Sequence, residues 1–269
     1  MAEPFGAWQL ESLIAVGGLG EVWRATRGGE VAAVKRLHTH LARNADARAQ
    51  FALEQRLVRE LPRHPNVIHG DDAGDVDGRP YVALDLVPGA DLRRILAPPA
   101  TRDNASPAAV TLRRSRALAI VRAACAGVAH LHAHGYVHGD VCPGNLLVGP
   151  ADHVTVIDLG VARASGEAGA VRGTHAYMAP EQVQGEAWTF ATDVFALGVI
   201  LWELASGTRL FHRGPPWLTM AAVVEQPVPK LADPALDAIA QAALVKDPAR
   251  RLASAAELAA HLRAVAQPG

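Results

Sequence analysis

At 269 residues the chain has room for one large or two small domains, at roughly 100–200 residues each. Its residues are 50% apolar, and 26 Lys plus Arg against 27 Asp plus Glu leave a net charge of -1. That balance gives no reason to expect the surface of a nucleic-acid or anionic-membrane binder. Cys125 and Cys142 form no CxxC pair, so neither a disulfide framework nor a zinc site is expected, and a reducing compartment fits. The opening stretch MAEPFGAWQLESL lacks the regions of a signal peptide. The apolar run from Val194 to Trp202 is far shorter than the about 20 residues of a membrane span. A cytoplasmic protein without membrane or nucleic-acid partners is expected.

The first third of the chain reads as strands. WQLESLIAV and EVWRAT flank a glycine cluster, and EVAAVKRL follows the turn RGGE, the pattern of a small antiparallel sheet with one tight hairpin. A helix fits RAQFALEQRLVRELP, where Phe51, Glu54, Val58 and Leu61 recur at helical spacing and Pro62 is the stop. NVIHGDDAG and RPYVALDLV fit two further strands. Beyond VPGADL the character becomes helical. Residues 97–110 read as a Pro/Ala/Ser loop. The next helix carries Leu118, Val121, Cys125, Val128 and Leu131 on one face, which makes Cys125 a core residue. Later helices fit TDVFALGVILWEL, PALDAIAQAALV and SAAELAAHLRAV, the last opening with Ser254 and Glu257 at capping-box spacing. The chain stops at AVAQPG soon after, with no sensor domain or linker expected.

Gly17, Gly18 and Gly20 stand between two predicted strands. Glycines there let backbone N–H groups approach phosphate oxygens, and an ordinary hairpin uses them equally well. Lys35 ends an apolar strand, and Glu54 on the following helix offers it a partner.

Taken in order, the glycine hairpin, AAVK, Glu54, HPNVIH, YVALDLVPGADL, HGDVCPGN, VIDLG, GTHAYMAPEQ, TDVFALGVILWEL and KDPARR resemble the serine/threonine protein kinase family, in its bacterial eukaryotic-like branch. The resemblance runs from about Trp8 to Leu262. It implies an α+β, two-lobed fold: residues 1–86 a small antiparallel sheet with one helix, residues 87–269 a larger, mainly helical lobe, together one kinase domain. It further implies ATP with magnesium or manganese as cofactors and protein Ser/Thr side chains as acceptors. The glycine hairpin (Ala15, Gly17, Gly18 and Gly20) would cover the phosphates, with Lys35 on them and Glu54 holding Lys35. Asn145 and Asp158 would hold the metal, and Asp140 would orient the acceptor hydroxyl and take its proton. Asp85 and Val87 would offer backbone groups to adenine beside Leu84, and Val22, Ala33 and Leu147 would sandwich the ring or be plain core residues. Glu181 and Arg251 resemble a buried ion pair. Asp193 would bond the catalytic-loop backbone or cap its helix, and Thr174 would reach towards Asp140.

Three positions depart from the pattern. Ala15 replaces the first glycine of the phosphate loop, so weaker nucleotide binding is expected. Gly139 stands where many kinases carry an Arg that pairs with an activation-segment phosphate. Between Asp158 and Glu181 the hydroxyl-bearing residues are Ser165, Thr174 and Tyr177, so switching by phosphorylation of this segment is not expected. Cys142 stands where the family usually has Lys. A neutral thiol cannot replace that charge, and one lost electrostatic stabiliser costs about 10²–10³ in rate. Asp140 and Asp158 are expected to disfavour its thiolate. A slow kinase is therefore the leading expectation. A pseudokinase serving as a nucleotide-binding or interaction module is the alternative. A small-molecule phosphotransferase, suggested by His-Gly-Asp alone, fits the later motifs less well. A regulatory partner, a homodimer formed through the small lobe, or expression level would have to supply any regulation. The substrate-reading surface is expected near GEAGAV and around Leu92 to Ile95.

Overall fold

The computed structural model describes residues 2–96, 107–169 and 174–266, without the side chains of Ile95 and residues 107–113. The chain divides into two compact units, Met1–Val87 with Asp158–Val161, and Pro88–Ile157 with Ala162–Gly269.

In the first unit, β1 (Glu3–Phe5), β2 (Trp8–Val16), β3 (Gly20–Arg27), β4 (Glu30–Leu37), β5 (Gly70–Val76) and β6 (Arg79–Leu84) form an antiparallel sheet in the order β1-β2-β3-β4-β6-β5. The predicted RGGE turn joins β3 and β4. Arg27 pairs with Glu30, and Gly28 and Gly29 take φ of 54° and 91°, the left-handed geometry that a two-residue hairpin requires. One face of the sheet buries Trp8, Leu10, Ala25, Val34 and Ala83. Register puts Ala15 opposite Val22, Val22 opposite Lys35, and Ala33 opposite Leu84. Strand periodicity therefore gathers these five on the other face.

Helix α1 (Ala45–Glu60) begins ahead of the predicted start at Arg48, because the Asn44 side chain caps it by accepting the Ala47 N–H at 2.9 Å. It stops where expected: Leu61, ahead of Pro62, is extended with ψ 136°. Its buried side carries Phe51, Glu54, Leu57 and Val58. Strand β5 starts at Gly70 rather than at Asn66. His64 curls HPN into a turn, its carbonyl accepting the Val67 N–H and its Nδ1 the Asn66 N–H.

The second unit holds β7 (Ala90–Asp91), α2 (Arg93–Leu96), α3 (Pro107–Ala133), β8 (Tyr136–Val137), β9 (Leu146–Val148), β10 (Val154–Val156) and β11 (Arg163–Ala164). It continues with α4 (Pro180–Val183), α5 (Phe190–Ser206), α6 (Pro216–Glu225), α7 (Pro234–Ala243) and α8 (Ala255–Ala266). Strands β10, β9 and β7 form one small sheet, and β11 pairs with β8. Helix α5 is buried continuously from Ala191 to Leu204, as an all-round apolar helix must be, and α3, α7 and α8 pack about it.

Two expectations need correction. Residues 97–106 of the predicted Pro/Ala/Ser loop lie outside the described residues, but 107–110 belong to α3. Pro107 suits a first helical position, and the alanines after it are strong helix formers. Helix α6 was not anticipated, because PWLTMAAVVE lacks the charged face that marks an amphipathic helix. At α8 the capping box is half formed: the Ser254 hydroxyl accepts the Glu257 N–H, while the Glu257 carboxylate accepts the N–H of Ala253.

Candidate functional site

In the first unit Lys35 projects from β4 into two carboxylates. Its Nζ lies 2.6 and 2.7 Å from Glu54 Oε1 and Oε2, and 3.1 Å from Asp158 Oδ1. Burial alone would pull the ammonium's pKa down. The charges of Glu54 and then Asp158 outweigh it and hold Lys35 above the ordinary lysine value. Glu54 is fully buried, whereas the Asp158 side chain is half-buried and its backbone is left-handed at φ 63°, uncommon for a residue with a Cβ. Gly160 allows this approach, since a Cβ there would stand 3.3 Å from Glu54 Oε2 and 3.4 Å from Asp158 Oδ1.

The glycines of the β2–β3 hairpin differ in kind. Gly20 is required by packing, because a Cβ would sit 2.2 Å from the Arg36 carbonyl oxygen. Gly17 donates its N–H to Gly20 O at 2.8 Å, and Gly18 faces open space. Ala15 and Val22 pair across the hairpin, and Lys35, Ala33 and Leu84 continue the same face. Asp85 donates its N–H to His69 O at 2.9 Å, and Val87 closes the unit. His38 was missed from sequence: its Nε2 meets Gly17 O and its N–H meets Leu19 O, both at 2.9 Å. It ties down the hairpin tip, and no motif spacing marks it.

In the second unit the HGDVCPGN segment hangs from Asp193. That carboxylate accepts the N–H groups of His138 at 2.8 Å and Gly139 at 2.9 Å, and meets His132 Nε2 at 2.9 Å. Asp193 is thus a loop anchor, and Thr189 caps α5 instead. His138 Nδ1 accepts the Asp140 N–H, so its Nε2–H donates to Ile157 O at 3.1 Å. Asn145 Nδ2 donates to Asp140 O at 2.9 Å and Oδ2 at 3.0 Å, and the Thr174 N–H donates to Asp140 Oδ1 at 3.3 Å. The Ile157 N–H donates to Asn145 O, fixing the chain just before Asp158. Leu147 lies on β9 between Thr155 and Asp91. Gln182, also missed from sequence, donates to Gly139 O at 2.8 Å.

Cys142 is only 4% exposed and belongs to the core of this unit. Its thiol is pushed up to about 11, first by burial and then by Asp140, against hydrogen bonds from Thr174, Gly144 and Asn145. Burial thus leads, and the expected push from Asp140 comes second. Cys125 is fully buried, and burial raises its thiol further still. Glu181 and Arg251 form the expected buried pair, at 2.7 and 3.0 Å, and Thr192 Oγ1 donates to the same carboxylate. The predicted substrate-reading surface is described only in part, since residues 170–173 and the Ile95 side chain lie outside the described residues.

Residues 8–262 match the family model described as the protein kinase domain. The chain is 33% identical over 269 residues to serine/threonine-protein kinase PknD of Mycobacterium tuberculosis, covering 95% of this chain and 39% of that one. It is 33% identical over 277 residues to PknB of Mycolicibacterium smegmatis, covering 95% and 42%, and 34% identical over 275 residues to PknA of M. tuberculosis, covering 97% and 61%. The chain thus spans less than two thirds of the length of these relatives. Among the described residues no helix is long and apolar enough to cross a membrane.

Proposed function

This chain belongs to the protein kinase family, and on that premise we propose that it is an ATP-dependent serine/threonine protein kinase acting on protein hydroxyls. The observation that carries the reading is Asp140. Its carboxylate is aimed by the Asn145 amide and the Thr174 N–H, on a loop whose backbone is held by buried Asp193. A carboxylate so oriented accepts the proton of an incoming Ser or Thr hydroxyl as the oxygen attacks phosphorus.

In the first unit, Lys35 keeps its charge through Glu54 and would take phosphate oxygens, beneath the hairpin of Ala15, Gly17, Gly18 and Gly20. Val22, Ala33 and Leu84 offer an apolar face for the base. The Asp85 N–H is already committed to His69, which leaves its carbonyl, with the Val87 backbone, for the adenine edge. The kinase reading also assigns Leu147, on β9, to the base. ATP with its metal, when bound, would supply the phosphoryl group and neutralise charge on it. Asn145 and Asp158 fit magnesium or manganese by donor chemistry. Asn145 spends its Nδ2 on Asp140, so a hard amide oxygen is its remaining ligating atom, and Asp158 brings a carboxylate. Two free, buried thiols accord with a cytoplasmic setting.

The test is transfer from labelled ATP with magnesium to a generic basic protein, with Asp140→Asn as control. Transfer that vanishes in the variant supports the reading. One observation favours a second reading, a nucleotide-binding module without turnover: buried, neutral Cys142 at the usual lysine position. Nucleotide binding without transfer would decide for it.

A further inference from the structure

Trp188 is 2% exposed, and its indole lies between two glycines of different segments. A Cβ on Gly139 would stand 2.3 Å from Trp188 Cζ3, and a Cβ on Gly169 would stand 2.2 Å from Cζ2. Gly139 also holds φ at +76°, so the residue before Asp140 lacks a side chain for two reasons, the ring and the backbone. The backbone of Trp188 ties the same regions together. Its N–H donates to Glu167 O at 3.0 Å and its carbonyl accepts the Gly166 N–H at 2.7 Å, beside a bridge between Ala168 and Ala187. Above the ring lies Arg163, its guanidinium carbon 4.3 Å from the ring centroid and its Nη1 bonded to Ala168 O at 2.7 Å. Arg163 sits on β11, paired to β8, the strand that leads into the catalytic loop. Neither Trp188 Nε1 nor Arg163 Nε, both buried, has a hydrogen-bond partner among the described residues. Packing and the cation–ring contact, rather than a polar bond at those atoms, hold the pair in this orientation.

We infer that Trp188 is a positioning residue: wedged against Gly139 and Gly169 and stacked by Arg163, it fixes residues 163–169 and the loop bearing Asp140 without a phosphate. Among the described residues of this segment, Arg163 is a cation already engaged with the indole and with Ala168. The kinetic part of this inference rests on the kinase reading above. The structural part does not.

The experiment compares the wild-type chain with Trp188→Ala, Trp188→Phe and Gly139→Ala. It measures transfer from labelled ATP with magnesium before and after phosphatase treatment, together with backbone hydrogen exchange. Trp188→Ala is expected to lose about 10–100-fold in kcat with its KM for ATP within about twofold. Exchange at Gly166 and Trp188 should rise about tenfold while α5 amides stay protected. Trp188→Phe should keep most of the rate, Gly139→Ala should resemble Trp188→Ala, and phosphatase should change nothing in the wild type. A wild-type kcat in Trp188→Ala, loss of α5 protection in step with the local amides, or inactivation by phosphatase overturns the inference. Should Trp188→Ala not fold, Gly139→Ala and Trp188→Phe decide by the same readings. A wild-type chain that transfers no phosphate refutes the kinase reading, and the exchange data still judge the wedge.

Discussion

Glu54 grips Lys35 with both carboxylate oxygens, at 2.6 and 2.7 Å, from a helix position 1% exposed. Strand β4 and helix α1 thereby share one buried charge pair, and the third partner, Asp158, is the most accessible of the three. Glu54→Gln removes the charge but keeps the shape. We expect transfer to fall about 100-fold, the scale of one lost electrostatic group, with the melting temperature lowered but the fold retained. An unchanged kcat/KM would refute the assignment. Because the folded pKa of Lys35 is raised, the pair's stabilisation is fully present below the ordinary lysine value of about 10.4 and fades only as pH rises above it.

Cys142→Lys should restore a cation beside Asp140. A rate increase of about tenfold or more is expected if the missing charge limits turnover. The substitution begins from a buried site, so its melting temperature should be measured alongside. A well-folded variant with the wild-type rate would show that charge at this position is not what limits the chain.

Burial, reinforced by Asp140, keeps the Cys142 thiol protonated up to about 11. Native protein at pH 8 should therefore resist iodoacetamide at both cysteines, and urea should expose both. The sign for stability follows. The unfolded thiol ionises first, near about 8.5, so this group's contribution is complete below that value and is lost as pH rises through about 11. Urea midpoints of wild type and Cys142→Ala compared across that window should diverge. Parallel curves would contradict the burial argument.

Arg251 satisfies the Glu181 carboxylate and the carbonyls of Ala191, Val245 and Lys246 from a fully buried position. Arg251→Ala leaves the buried Glu181 carboxyl without its cation, and about 3–5 kcal/mol of stability should be lost. Chemical denaturation measures it. A loss under about 1 kcal/mol would mean that the pair behaves like an exposed one.

The order of motifs was legible in the chain, and with it the family, the sheet of the first unit and the residues around Lys35 and Asp140. Short-range chemistry explains this. RGGE makes a hairpin by itself, Asn44 caps its own helix, and alternation along β3 and β4 puts Val22, Ala33 and Lys35 on one face whatever surrounds them. The tertiary structure alone decided what each site residue touches. Asp193 reads as a helix cap until its carboxylate meets His138 and Gly139 more than fifty positions earlier. His38 and Trp188 carry no motif, since their partners, the carbonyl of Gly17 and the bare faces of Gly139 and Gly169, are brought to them only by folding. Cys142, in sequence a missing charge, became in the fold a buried thiol whose protonation is set chiefly by desolvation. Periodicity and local hydrogen bonding are encoded over a few residues, whereas burial and long-range contacts are properties of the packed chain.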